Sequence, residues 1–333
     1  MRVAVWIGTL AACAVALGCV SMAEGPPVMA LPAVPAPADN PVTLDKVALG
    51  KQLFADPRIS GSGKTACQSC HYRNLGWTDG LALSRRDDGA LNTRHTPTLY
   101  NVGHQTAWYW DGRATTLEGQ VLAAWRAQSG ADPVKASAVL NGIPGYRSQF
   151  QAIWGGEATP DNVARTLATF FRSLTSDGAP WDRYEAGDKT AVSQAAIEGQ
   201  ALFAGKGRCL TCHTAPYYGN STFWNIGLEA GKERPDPGRF NVTKNEADRG
   251  AFKTPTLRAT ELSAPYFHDG SVATLREAVR LMAAGGKTDP TKTPILQPTG
   301  LTEDELDKIV AFLQTLTSTE RWEQPTVPDP APR

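Results

Sequence analysis

Cys67-Gln-Ser-Cys70-His71 returns later in the chain as Cys209-Leu-Thr-Cys212-His213, and these two pentapeptides decide how the sequence is read. Two thiols spaced by two residues, with a histidine directly behind them, suit covalent capture of one macrocycle from a single helical turn. The thiols add to the vinyl groups of a haem and the imidazole ligates its iron. A four-cysteine zinc site is the competing reading, but zinc pairs usually lie closer together and need no histidine after each pair. A disulfide inside each pair is the third. The sequence therefore predicts two c-type haems, attached through Cys67, Cys70, Cys209 and Cys212, with His71 and His213 as proximal ligands.

The chain holds 6 cysteines, of which Cys13 and Cys19 fall in a leader, so the two motifs use all the rest and no structural disulfide remains. Of the 4 methionines, only Met282 lies in the expected folded body; Met29 sits in a Pro-rich stretch. Arg2 followed by an apolar run from Val3 to Leu17 reads as an export signal over 1–23, with Ser21-Met22-Ala23 as the cleavage site. A second cut is open: Ala16-Leu17-Gly18-Cys19 is an imperfect lipobox, and cleavage before Cys19 would leave a lipid-anchored protein. Both routes lead to the periplasm, where c-type haem is attached.

Residues 24–41 are rich in Pro and Ala and predict an extended tether, and 323–333 a similar tail. Lys plus Arg and Asp plus Glu balance at 33 each, so the basic excess that nucleic acid demands is missing.

Laid on itself, the chain repeats. Thr96-Pro97-Thr98-Leu99 recurs as Thr254-Pro255-Thr256-Leu257, and without gaps Trp110-Asp111-Gly112 then meets His268-Asp269-Gly270 and Thr116-Leu117 meets Thr274-Leu275. Over this block 9 of 26 positions are identical, too many for coincidence alongside the echo Gly50-x-x-Leu53-Phe54 and Gly199-x-x-Leu202-Phe203. Helical signals dominate both copies. Thr302 and Glu305 form a capping box ahead of Leu306, Ile309, Leu313 and Leu316; Thr159 and Pro160 open the matching helix in the first copy. The fold predicted is mainly α: two tandem cytochrome-c-like helical domains, 42–180 and 181–322, each with one covalently bound haem.

The copies differ at one telling place. Met282 shares a helix face with Leu275 and Val279, whereas its counterpart 158 residues earlier is Ala124. Alanine cannot bind iron. The second haem is thus expected to be six-coordinate through His213 and Met282, and the first to have only His71. Thioether ligation raises the reduction potential and suits electron transfer; an iron with a vacant face can meet peroxide.

The two Cys-x-x-Cys-His motifs, Arg94-His95-Thr96-Pro97-Thr98, Trp110-Asp111-Gly112-Arg113, Pro265-Tyr266-Phe267-His268-Asp269-Gly270 and Met282 together resemble the bacterial di-haem cytochrome c peroxidase and MauG family. The resemblance covers roughly 42–320. It implies hydrogen-peroxide-dependent oxidation through a ferryl at the N-terminal haem, with Trp110 relaying electrons between the haems. It implies a distal role for Gln120. The family's acid–base glutamate position is Gly130 here, which makes Asp132, two residues on, the nearest candidate, with a helix cap as its other reading. Glu118 is expected to close a capping box with Thr115, and Trp108 and Tyr109 to be packing. Relatives often hold calcium through an Asn, replaced here by His95, and carbonyls near Thr254 and Thr256, so calcium is an open expectation at those threonines. No histidine lies between His71 and Arg94, where reductively activated members keep a distal ligand, so the resting first haem should be open as in MauG-type enzymes. MauG itself has Tyr rather than Met on its second haem; the chain mixes both patterns.

Two outlets follow for the oxidising equivalents: a small periplasmic donor, cytochrome c or cupredoxin, or a residue of a partner protein. The alternative of another class is a di-haem electron carrier without peroxide chemistry, which would need a sixth ligand such as His95 or His104 on the first haem.

Overall fold

The computed structural model describes residues 31–319 and 322–330; the export signal, Cys19 and Met29 lie outside them. Ten α-helices occur among the described residues: α1 (Leu44–Ala55), α2 (Leu117–Ala127), α3 (Pro133–Asn141), α4 (Pro144–Trp154), α5 (Pro160–Arg172), α6 (Pro180–Glu185), α7 (Gln194–Ala204), α8 (Phe240–Thr243), α9 (Leu275–Ala283) and α10 (Glu303–Gln314). The only sheet among them is a two-stranded antiparallel pair, β1 (Phe223–Trp224) on β2 (Phe252–Lys253). The mainly helical expectation holds. No helix among the described residues is long and apolar enough to cross a membrane.

Two apolar cores organise the chain. The first gathers Leu49, Leu53, Phe54, Leu167 and Phe170 with α2–α4; the second gathers Phe203, Ile309, Phe312, Leu313 and Leu316. Trp181 of α6 belongs to the second core, and its backbone N–H donates to the Thr315 carbonyl at 3.0 Å. The echoed glycines explain how each core closes. A Cβ on Gly50 would lie 2.6 Å from both Phe170 Cβ and the Thr166 carbonyl, and one on Gly199 would lie 1.8 Å from the Lys308 carbonyl. α1 crosses α5, and α7 crosses α10, at contacts that only glycine permits.

The internal repeat is visible residue by residue in the backbone. Asn101 and Ala259, and Tyr109 and Phe267, occupy equivalent places and all take positive φ. The isolated bridge Trp108–Ala114 has its twin in Tyr266–Val272. α2 and α9 start alike, capped by Thr116 on the Gly119 N–H and by Thr274 on the Glu277 N–H.

Three expectations are corrected. Thr116, not Thr115, caps α2, and Glu118 closes no box: it pairs with Arg172 at 2.6 Å and accepts from the Asn40 amide at 2.9 Å. A carboxylate facing a buried guanidinium gains more there than at a solvated helix start. The described part of the tether is not loose, since Asn40 is buried and Leu31 N–H donates to Asp177 at 3.0 Å. Nor is the tail: the Pro328 carbonyl accepts from Arg58 at 2.8 Å. Just ahead of it Trp322, the last residue of the expected second domain, packs against the first core, edge-on to Trp77 with centroids 5.0 Å apart.

Candidate active site

Each Cys-x-x-Cys-His motif opens on its own cavity. The first, about 1360 Å³ with its mouth, is lined by Cys67, Cys70 and His71; the second, about 1700 Å³, by Cys209, Cys212 and His213. The thiol pairs lie in separate cavities, so a four-cysteine zinc site is not built. Burial also pushes the Cys67 and Cys209 thiols up to about 12 and Cys70 to about 11. That disfavours the thiolate a metal needs, whereas a thioether carries no charge.

The histidines are set as iron ligands are. His71 Nδ1 lies 2.7 Å from the Trp77 carbonyl and His213 Nδ1 2.9 Å from the Tyr218 carbonyl. An Nδ1–H donated to a carbonyl leaves Nε2 as the free lone pair and fixes the ring's direction. Burial holds both imidazoles below their ordinary pKa, favouring the neutral, ligating form. Trp77 and Tyr218 both take positive φ, the local turn that brings their carbonyls back to the motif. Two haem c groups fit these donor sets.

The two counterparts singled out by the repeat line different cavities. Met282 lines the second cavity; Ala124, on the matching helix, lines the first. Gln120 also lines the first cavity, as does Gln128 two turns further along α2. The Gln128 carboxamide oxygen is buried with no partner among the described residues, as expected of a polar group facing a bound molecule. His95 lines this cavity too, its ring held between the Leu81 carbonyl, 2.7 Å from Nδ1, and the Ser263 backbone. His104 is elsewhere, stacked on Tyr217 with centroids 4.2 Å apart and its Nδ1 2.9 Å from the phenol oxygen.

Trp110 lines both cavities. Its indole N–H donates to the His95 carbonyl at 2.8 Å, and its own carbonyl accepts from Lys253 N–H at 2.8 Å. Around it Arg94 pairs with Asp111 at 2.8 Å and with Asp236 at 2.7 Å, tying the two domains together. His268 stacks on Phe252 and meets Glu229 at 2.7 Å. Lys232 lies 2.6 Å from Glu229 and 2.7 Å from Asp269, so the chain's own ammonium meets the charge of this acidic group.

Comparison with known proteins agrees with this geometry. The family model described as di-haem cytochrome c peroxidase matches residues 44–190, and a cytochrome c model matches 196–317. The cytochrome-c peroxidase IdrP1 of Denitromonas iodatirespirans is 39% identical, over 94% of this chain and 92% of its own. The chain belongs to the di-haem cytochrome c peroxidase and MauG family. The MauG protein of Methylorubrum extorquens is also 39% identical, over 85% of this chain and 81% of its own. The cytochrome c551 peroxidase of Nitrosomonas europaea is 37% identical, over 93% and 91%. A solved MauG-like protein associated with microbial copper homeostasis superposes with a TM-score of 0.78 at 29% identity, over 87% of this chain and 94% of that one. This member of the family is a hydrogen-peroxide-dependent oxidoreductase whose cofactors are two haem c groups, with a protein as electron donor or substrate.

Asp132 is not brought to the first cavity. Its carboxylate caps α3, accepting from Val134 N–H at 3.0 Å and Lys135 N–H at 3.3 Å, and does not line the cavity. The helix-cap reading is the one the geometry follows, because Pro133 at the first helical position leaves Asp132 as the cap. The Thr256 hydroxyl donates to the Tyr217 carbonyl at 2.6 Å, and the Thr254 hydroxyl lies 3.4 Å from that of Thr222. Tyr109, expected as packing, lines the first cavity with its ring under the Arg113 guanidinium at 3.5 Å, and Arg113, quoted only as part of the family motif, lines it too. Sequence reasoning missed Gln128 and Lys253 of this cavity. Lys253 is buried and lines both cavities, with burial lowering its ammonium pKa to about 7. Nothing in the local sequence flagged either.

Proposed function

We propose that this protein removes hydrogen peroxide in the periplasm with electrons from a small redox protein, and that it does so without prior reduction. The observation that carries the reading is the Met282–Ala124 difference between matching helices lining the two cavities. Bound haem c would supply the iron centres at which peroxide is reduced and electrons are held.

The chain's own groups divide the work. Cys67, Cys70, Cys209 and Cys212 anchor the macrocycles, and His71 and His213 present Nε2 because their Nδ1 atoms are tied to carbonyls. Met282 offers a neutral sulfur, which favours the reduced state and makes the second domain the point of electron entry. Ala124 offers nothing and leaves room for peroxide. Gln120 donates or accepts a hydrogen bond to the peroxide, and with Gly130 where relatives have a carboxylic acid, protons move through water held by Gln120 and Gln128. Trp110 passes electrons between the cavities. Its N–H is held by a carbonyl rather than a carboxylate, so the indole keeps its proton while doing so. Calcium at this interface would look to carbonyl oxygens near Thr254 and Thr256, where the Thr256 hydroxyl already donates to the Tyr217 carbonyl.

Electron paramagnetic resonance of the resting ferric protein, followed by peroxide without reductant, tests the proposal. A high-spin signal that disappears on mixing supports it. Two low-spin signals unmoved by peroxide, even after half-reduction, would instead make the protein a di-haem carrier.

A further inference from the structure

We infer that Lys253 is a shared carboxylate anchor: its ammonium pairs with haem propionates at the wall between the two cavities and holds the potentials of both haems up together. The inference rests only on the two-haem reading. Lys253 follows Phe252 in β2, whose backbone joins β1 on one edge and the Trp110 carbonyl on the other. Its side chain leaves the second domain and ends in the first, donating to the Gln105 carboxamide oxygen and, at 3.1 Å, to the Ala107 carbonyl. An ammonium has three N–H donors, so one is left over. The residue is 9% exposed, and it lines both cavities.

No carboxylate among the described residues lies within salt-bridge distance of that ammonium. The carboxylate that acts on it across space, Asp111, is already taken, by Arg94 at 2.8 Å and Arg113 at 3.0 Å. Arg94 also holds Asp236 at 2.7 Å, and Arg239, a further cation, is spent on the Asp111 and Gly112 carbonyls at 3.0 and 3.1 Å. A buried charge without a counter-ion is costly, and the remedy is an anion beside it. Haem brings two carboxylates per ring, and both rings belong in cavities this one residue lines. The pairing also serves the indole: a bare cation bonded through its backbone to Trp110 would oppose the loss of an electron there, whereas a neutralised one would not.

The test is spectroelectrochemical titration of both haems in the wild type, Lys253→Met and Lys253→Arg, after haem content is measured. Fewer than two haems in the wild type would sink the two-haem reading itself. With both present, Lys253→Met should lower both midpoints, each by at least a tenfold change in the oxidised-to-reduced ratio, about 59 mV for one electron. Lys253→Arg should stay within half of that shift. A midpoint pair unmoved by Lys253→Met, or movement of one haem alone, overturns the anchor. If Lys253→Met does not accumulate, redox-difference infrared spectra of wild type and Lys253→Arg, with haem carbon-13-labelled at its carboxylates, decide instead. Propionate bands of both haems that shift between the two proteins support the pairing, and superimposable bands refute it.

Discussion

Trp110 and His268 hold the same place in the two repeats, and they meet across the domain interface edge to face, ring centroids 6.4 Å apart and planes at 68°. A backbone link reinforces the contact: His95 N–H donates to the His268 carbonyl at 2.7 Å, while the His95 carbonyl accepts the Trp110 indole N–H. Duplication put an aromatic ring at one position twice, and docking of the copies turned the two rings toward each other. Divergence then made one a redox-capable indole lining both cavities and the other an imidazole held by Glu229.

Trp110→Phe keeps the ring's volume nearly intact and removes the easily oxidised indole. Electron exchange between the haems, followed by stopped-flow absorbance after peroxide, should slow by about one to two orders of magnitude, equal to roughly 1.4–2.7 kcal/mol of added barrier. Unchanged exchange would remove Trp110 from the route.

Met282→Ala makes the second cavity resemble the first at its sixth position. Both haems should remain covalently attached, because the anchoring thiols are untouched. The low-spin methionine-ligated signature in near-infrared absorption should vanish and the potential of that haem should fall. A spectrum identical to wild type would mean that sulfur is not the ligand.

Gly199→Ala tests the crossing of α7 and α10. The new methyl would overlap the Lys308 carbonyl, so the helices must part, at a cost of about 1–3 kcal/mol. Calorimetry should show Tm lowered by roughly 2–4 °C per kcal/mol. Gly50→Ala meets its neighbours at 2.6 Å rather than 1.8 Å and should lose less.

Asp56 makes part of the stability pH-dependent. Burial pushes its pKa up, but the Arg58 side chain and backbone and the Tyr146 hydroxyl at 2.8 Å outweigh that, leaving the carboxyl below its ordinary range. A depressed folded pKa stabilises above the unfolded value, about 3.9, and that contribution is lost as pH falls through the folded one. Denaturant midpoints of wild type and Asp56→Asn should therefore differ at pH 6 to 7 and converge as pH drops below about 4. A gap that persists to low pH would show that the carboxylate's charge is not what matters.

What the sequence determined alone is everything carried by short spacing or by self-comparison. The two thiol–histidine motifs, the repeat, the capped helices and the Met282–Ala124 difference are local or copied features, and the chemistry they need lies within a turn or two. The crossing glycines were visible as an echo, though their purpose was not: it appears only once Lys308 and Thr166 come against them. Docking decided the rest. Trp110 touches both cavities, Lys253 reaches from one domain into the other, Glu118 finds Arg172 instead of a helix start, and Trp322 returns to the first core. Asp132, by sequence two residues from the right place, is turned to cap α3. These outcomes depend on which buried charges and faces meet across long sequence separations, and residue spacing does not encode that; only the packed arrangement, where each buried group must find its partner, settles it.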